Sequence, residues 1–311
     1  MVMPDALKMR LKKKIRNIVM GPDMTSCKDY QTLDGTPYAK YLMPLDYMPS
    51  RDFMPRWGYN KPPLQSVQNI FALHDDSYVN ILRGMHDLSP YYKKIQKTFD
   101  HTTTPNPAWF GIPISPIDVA LLYYFVTYYK PKFYLEIGSG VTTCFAHQAI
   151  RDHHLSTKII SIDPEPRAAI RGICDEVFEK PLETIDLSIF SKLEAGDIVF
   201  MDGSHRAFMN SDVTVFMIEV IPYLKPGVIV HIHDIILPYD YPDSFKNWYW
   251  NEQYMVALYL IAAKERIKPI FPSAYVTQSG KFDIAIDTPL FQSLWGKEQC
   301  RGGGSLWFTH I

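Results

Sequence analysis

The chain is 311 residues long, 47% hydrophobic, and carries a formal net charge of −1. That length can bury one large core with room for a smaller second unit, and near-neutrality removes the bulk positive field that nucleic acid binding would use. No apolar run approaches the roughly 20 residues that span a bilayer, and the N-terminus lacks the unbroken apolar core of a signal peptide, so a cytoplasmic location is expected.

Charge is concentrated at the start of the chain. Lys8, Arg10, Lys12, Lys13, Lys14 and Arg16 are opposed only by Asp5, which leaves +5 on this segment and −6 on the rest. Leu7, Leu11, Ile15 and Ile18 fall at helical spacing, which predicts a basic amphipathic helix across residues 5–19. Such a helix suits docking on its own domain, on a sister subunit of a homo-oligomer, or peripherally on a membrane surface.

Residues 20 to about 110 are rich in Pro, Tyr, Met and Asp, with breaks such as Lys61-Pro62-Pro63 and Pro105-Asn106-Pro107. Helices are expected from Ser66 to about Met85 and again after Ser89-Pro90, where serine caps and proline fits the first turn. Residues 1–110 therefore read as a basic helix with an irregular cap, and residues 111–311 as the main domain. Cys27, Cys144, Cys174 and Cys300 lie far apart without C-x-x-C spacing, so reduced, structural thiols are expected.

From Ser115-Pro116 the pattern becomes regular. A helix runs to Tyr129 and stops at Lys130-Pro131; strands and helices then alternate, with strands at Tyr134–Ile137, Lys158–Ile162, Val177–Phe178, Ile198–Met201 and Val228–Ile232. A helix from Asn251 to Lys264 leads to strands near Pro269–Val276 and Ser305–Ile311. The expected fold class is α/β: a Rossmann-like, doubly wound, mostly parallel sheet with an antiparallel C-terminal strand pair.

Ligands of such sheets bind at the carboxyl ends of the strands. After the first strand, Glu136, Gly138, Ser139, Gly140, Thr142 and Thr143 form an acidic residue, a glycine turn and a helix start, a cradle for a nucleotide-type ligand. Thr143 occupies the third glycine position of the dinucleotide fingerprint, so that match is incomplete. The E-x-G-x-G of Glu136, Gly138 and Gly140 instead resembles the first motif of class I S-adenosylmethionine-dependent methyltransferases.

The other strand ends are Asp163, Asp202 and Asp234. Each acid alone could simply cap the helix that follows. Together with Glu136 they would repel a pyrophosphate and attract the sulfonium and ammonium of S-adenosylmethionine. Asp163 stands where a carboxylate can accept from two ribose hydroxyls, while the cradle amides and Ser139 would take the methionine carboxylate and Glu136 would fix the loop or the ammonium.

The resemblance sharpens further along. Phe200–Phe208 (FMDGSHRAF) and Leu224–Pro238 (LKPGVIVHIHDIILP) look like a methyltransferase branch with D-G-x-H after the fourth strand and H-D after the fifth, and Asn251-Glu252-Gln253-Tyr254 resembles its bacterial members. This likeness runs from about Ile114 to the C-terminus. It implies methyl transfer, with O-methylation of a small or sugar-like acceptor. His205, three residues beyond Asp202, stands where catechol-type enzymes carry a lysine base, and imidazole can serve near pH 7 without a large shift.

Asp234 and His233 would orient the acceptor. His231 should share the strand face of His233, so the two can share one environment. In catechol-type enzymes magnesium is held by the acid after the fourth strand and an Asp-Asn pair after the fifth, which correspond here to Asp202, Asp234 and Ile235. Ile235 cannot coordinate, so a magnesium ion would need His205, Glu252 or water to complete its sphere. The metal assignment stays open. Two rivals remain at this level: an NAD-dependent oxidoreductase on the same sheet, and a non-catalytic cofactor-binding or scaffold protein.

Overall fold

A computed structural model describes residues 55–58, 61–98, 105–245 and 248–311. The basic segment at residues 5–19, its docking or membrane contact, and Cys27 lie outside these residues. Cys144, Cys174 and Cys300 are free thiols, and no helix among the described residues is long and apolar enough to cross a membrane.

The centre is a seven-stranded sheet. Its strands are β1 (Phe133–Ile137), β2 (Lys158–Ile162), β3 (Glu176–Phe178), β4 (Ile198–Met201), β5 (Ile229–Ile232), β6 (Ile267–Pro272) and β7 (Leu306–His310), in the spatial order β3-β2-β1-β4-β5-β7-β6. β1 to β5 pair in parallel, and β7 runs antiparallel to both β5 and β6. The expected Rossmann-like α/β class holds, with the antiparallel pair at the C-terminal edge. The strands β1, β4 and β5 are buried along their length apart from Phe133, as parallel strands covered on both faces must be.

Register decides where the strands stop. Ile137 pairs with Ile162 on one side and Met201 on the other, and Met201 pairs with Ile232. The residues that follow these four, namely Gly138, Asp163, Asp202 and His233, therefore emerge in one row. Three further backbone bonds extend the ladder one step: Gly138 N to Ile162 O, Asp202 N to Ile137 O and His233 N to Met201 O, at 2.9–3.0 Å.

Helices enter as their signals direct. Pro116–Tyr129 (α1) starts at Ser115, whose hydroxyl accepts from Asp118 N, and ends where Lys130 turns left-handed ahead of Pro131. Val141–Asp152 (α2) opens from Gly140, whose amide donates to the Thr143 hydroxyl. Glu252–Ala262 (α3) begins at a residue whose side chain meets His205.

Besides the helix expected from Ser66 to about Met85, which is split into Gln65–Ala72 and Asp75–His86, two details of the main domain depart from the sequence reading. The strand expected to run to Val276 ends at Pro272 and gives way to the helix Ser273–Gln278, because Ser273 to Thr277 are buried as a helical turn behind the sheet edge. The helix expected from that alternation between the strands Lys158–Ile162 and Val177–Phe178 is a single turn, Ala168–Arg171.

The described part of the region assigned to a cap contains the helices Gln65–Ala72 and Asp75–His86 and a short parallel pair, Gln96–Thr98 with Ala108–Phe110. Its apolar side chains are continuous with the sheet's core. Tyr78 packs against Phe271, Tyr275 and Phe282, and Tyr92 donates its hydroxyl to Ala120 O. A fully buried aromatic of this size contributes on the order of 1.5–3 kcal/mol, so this layer is part of the domain's foundation and lies among residues 55–311, which form one compact unit.

Candidate active site

At the end of β1 the chain turns on Gly138, with φ of +79°. The turn brings the main chain against β4, and an added Cβ would stand 1.9 Å from the Asp202 carbonyl oxygen. Beside it, a Cβ on Gly140 would meet no atom within 4 Å. The cradle is thus closed at its floor and open at its mouth.

The four strand-end acids do not share one hollow. Glu136 is fully buried; its carboxylate accepts from the hydroxyls of Thr142 and Thr143, and from Tyr134 at 3.1 Å. Burial pushes its carboxyl up to about 8, against the pull of those three donors. It fastens helix α2 to β1 from beneath, and Thr142 is spent on the same lock. Both side chains, expected at the ligand, stand behind the cradle because the strand's alternation points residue 136 into the core.

Asp163 stands at the rim, half-buried. Its Oδ2 accepts from Ser139 N and Ser139 Oγ, both at 2.8 Å, and its Oδ1 accepts from Glu165 N at 2.8 Å. The acid of β2 and the serine of the glycine turn are therefore one unit.

Across the row, Asp202, His205, His233, Asp234 and Glu252 converge. His205 Nε2 lies 3.5 Å from Asp234 Oδ2 and 3.7 Å from Asp202 Oδ1, while its Nδ1 meets Glu252 Oε1 at 2.7 Å. His233 Nδ1 lies 3.3 Å from Asp234 Oδ2 and 3.8 Å from Asp202 Oδ1. The fully buried Asp118 is 3.9 Å from His233 Nε2. Both His205 and Asp234 hold left-handed backbone, at φ of +60° and +55°, a conformation that non-glycine residues keep only where surroundings enforce it.

The enforcement is visible. Ser204 donates its amide and hydroxyl to Asp212, fixing the turn before His205. Asn251 donates its amide to His205 O at 3.0 Å and accepts from Ala207 N at 2.6 Å. Trp250 lies against the imidazole at 4.0 Å between ring centroids, and Arg206 grips the Trp248 carbonyl at 2.9 and 3.1 Å.

Charge in the cluster is mutually adjusted. Burial works against a protonated His233, but Asp234, Asp202 and Asp118 outweigh it and raise the imidazole to about 10. Burial likewise opposes protonated His205, and the bond to Glu252 with the nearby aspartates turns the balance upward. Burial raises Glu252 to about 7 despite His205, and raises Asp202 despite both histidines. Asp234 stays low because His233 overcomes its burial. The cluster can therefore accept and hold a proton at neutral pH.

One atom of Asp202, His233 and Asp234 each can be chosen so that all three lie within 4.8 Å of one another. His233 Nδ1 is buried without a hydrogen bond of good geometry. This donor set, two carboxylate oxygens and one imidazole nitrogen, fits a divalent cation. Ile235, at the remaining position of the catechol-type ligand pattern, is buried apolar core.

His231 parts from His233. It is stacked on Trp307 at 3.8 Å, lies beside Phe200 and bonds Ser305 Oγ at 2.8 Å; it is core. Glu252 and Asp118 are the site residues whose roles spacing did not reveal. Each approaches through the fold, 47 and 115 positions from the histidine it faces; in the sequence Glu252 stands out only in the run Asn251-Glu252-Gln253-Tyr254 and as a possible metal ligand, and Asp118 not at all.

Comparison with known proteins adds a family. Residues 135–235 match the model of a family described as a methyltransferase domain. The matched span starts in β1 and ends just past Asp234, so it contains the cradle, Asp163, Asp202, His205 and His233, and this part of the chain is a methyltransferase domain. No protein of curated function matches the chain by sequence.

Among solved structures, the chain is similar to the methyltransferase PaMTH1 of Podospora anserina, bound to S-adenosylhomocysteine (SAH). That likeness has 14% identity and a TM-score of 0.39, and covers 73% of this chain and 88% of that one. It is also similar to an O-methyltransferase of Bacillus cereus in complex with SAH, at 11% identity and a TM-score of 0.37, over 80% and 99% of the two chains.

Proposed function

We propose that the methyltransferase domain of this chain takes its methyl group from S-adenosylmethionine and delivers it to an oxygen of a small or sugar-like acceptor, with His205 as the base. The observation that carries the reading is the row of strand ends. It sets an open glycine mouth and a ribose-type acid, Asp163, in one row with a half-buried histidine whose Nε2 faces Asp202 and Asp234.

The donor supplies an electrophilic methyl group on a cationic sulfur. Space above Gly140 and the paired Ser139 and Asp163 fit its amino-acid and ribose parts, in keeping with helix N-termini and strand-end acids in sheets of this type. Asp202 keeps about a third of its side chain exposed and holds negative potential at the rim for a cation.

The acceptor hydroxyl must lose its proton as its oxygen forms the new bond. His205 Nε2 would receive that proton, and Asp234 and Asp202, 3.5 and 3.7 Å away, would stabilise the imidazolium that results. Asp234 and His233 would orient the acceptor from the end of β5. A divalent cation, if one is bound, would be held by Asp202, His233 and Asp234 and would lower the hydroxyl's proton affinity.

The test is calorimetric titration with SAH and with NAD, followed by turnover assays of His205→Ala on an identified acceptor. The expected result is binding of SAH only, with the variant retaining SAH affinity and losing turnover. Tight NAD binding without SAH binding would move the domain to hydride transfer, and normal methyl transfer by the variant would remove His205 from the reaction.

A further inference from the structure

We infer that Glu252 is the positioning residue for His205: it accepts the proton-bearing Nδ1 and so fixes the imidazole in the tautomer whose Nε2 lone pair faces the reaction space. This rests on the reading of His205 as the base, and it concerns a residue outside the matched methyltransferase span.

The geometry is specific. His205 Nδ1 and Glu252 Oε1 are 2.7 Å apart, and both side chains are nearly closed off, at 12% and 3% exposure. At that distance, in so dry a place, a carboxylate accepts from an N–H and leaves the opposite nitrogen as the basic one. Glu252 is also the first residue of the eleven-residue helix α3, where a negative side chain is stabilised by the helix's own N–H groups.

The bond is held at both ends by backbone. Asn251, the residue before Glu252, donates its amide to His205 O and accepts from Ala207 N, so His205 and the chain that follows it are tied to the start of α3. Gln253, the residue after, donates its amide to the Tyr241 hydroxyl at 3.3 Å and its side-chain oxygen accepts from Ile236 N at 3.1 Å. Trp250 closes one face of the ring. These bonds hold the two backbones from which the His205 and Glu252 side chains meet.

The arrangement has a chemical consequence. A histidine that must take a proton at Nε2 works only while Nδ1 keeps its own, and a free imidazole is not held to that choice. Glu252 supplies the constraint without approaching Asp202 or Asp234 in sequence.

The experiment is ring nitrogen-15 spectroscopy on the full-length protein labelled at histidine, on the alkaline side of the His205 titration, with the signal assigned by its loss in His205→Asn. The expected wild-type spectrum shows the proton on Nδ1, and Glu252→Leu transfers it to Nε2 or leaves the two forms exchanging, with SAH affinity within about threefold of wild type. A wild-type proton on Nε2, or an unchanged tautomer in Glu252→Leu, would overturn the assignment. If Glu252→Leu fails to fold, the wild-type spectrum still decides. Wild-type protein that carries the proton on Nδ1 but binds no SAH would sink the methyltransferase reading and leave the Glu252–His205 pair intact.

Discussion

Gly138 and Asp202 meet across the gap between β1 and β4, so closely that a single methyl group on Gly138 would fall 1.9 Å from the Asp202 carbonyl oxygen. The contact locks the glycine turn to the strand that carries the acid and, three residues on, the histidine. Cradle and base are thereby parts of one rigid rim.

The first prediction follows from that contact. Gly138→Ala combines a left-handed φ, which costs about 1–2 kcal/mol for an L-residue, with a backbone clash. Denaturant unfolding should show a loss of at least ~2 kcal/mol, with SAH binding reduced or lost. Gly140→Ala meets no atom within 4 Å and should keep wild-type stability while weakening SAH. Equal SAH affinity in Gly140→Ala would place the ligand elsewhere.

Glu136 sets a pH dependence between about pH 4.5 and 8. Its folded carboxyl is raised to about 8 from an ordinary value near 4.5, so the fold holds a proton that the unfolded chain releases. The associated stability is full below about 4.5, is lost at up to ~1.4 kcal/mol per unit as pH rises from there toward about 8, and changes no further above it. Glu136→Gln mimics the protonated acid and should lack this loss. Melting curves from pH 6 to 9 should show the variant gaining on wild type as pH rises; parallel curves would mean that the carboxylate is already ionised.

His231 acts in the opposite direction. Burial, then His233, depresses it well below the usual imidazole range, so it is neutral in the fold while the unfolded chain takes up a proton below about 6.5. Its stability is present above that value and is lost as pH falls. His231→Phe preserves the stack with Trp307 and gives up the bond to Ser305, at about 1 kcal/mol near pH 8. The deficit should shrink or reverse by pH 5; a constant deficit would contradict a buried neutral imidazole.

Asp163 should separate cofactor affinity from fold. If its carboxylate takes the ribose hydroxyls, Asp163→Ala forfeits charge-assisted bonds that contribute roughly 1.5–3 kcal/mol, about tenfold or more in SAH affinity. Calorimetry with SAH reads this directly. A change of less than twofold would leave Asp163 as no more than the anchor of Ser139.

The sheet was legible because its strands are short buried runs ending in Gly138, Asp163, Asp202 and His233, and parallel pairing has few ways to order them. Local signals also placed helix starts at Ser115 and, within a residue or two, at Thr142, since capping involves only near neighbours in the chain. By itself the sequence determined an α/β sheet, a glycine turn and the motifs D-G-S-H and H-D. Only tertiary structure decided which acids face outward: strand alternation and the following helix turned Glu136 inward onto Thr142 and Thr143, and packing of α3 carried Glu252 to His205. Spacing along a chain fixes which neighbours a residue can reach within one element, whereas a partner 47 positions away is chosen by how the elements pack.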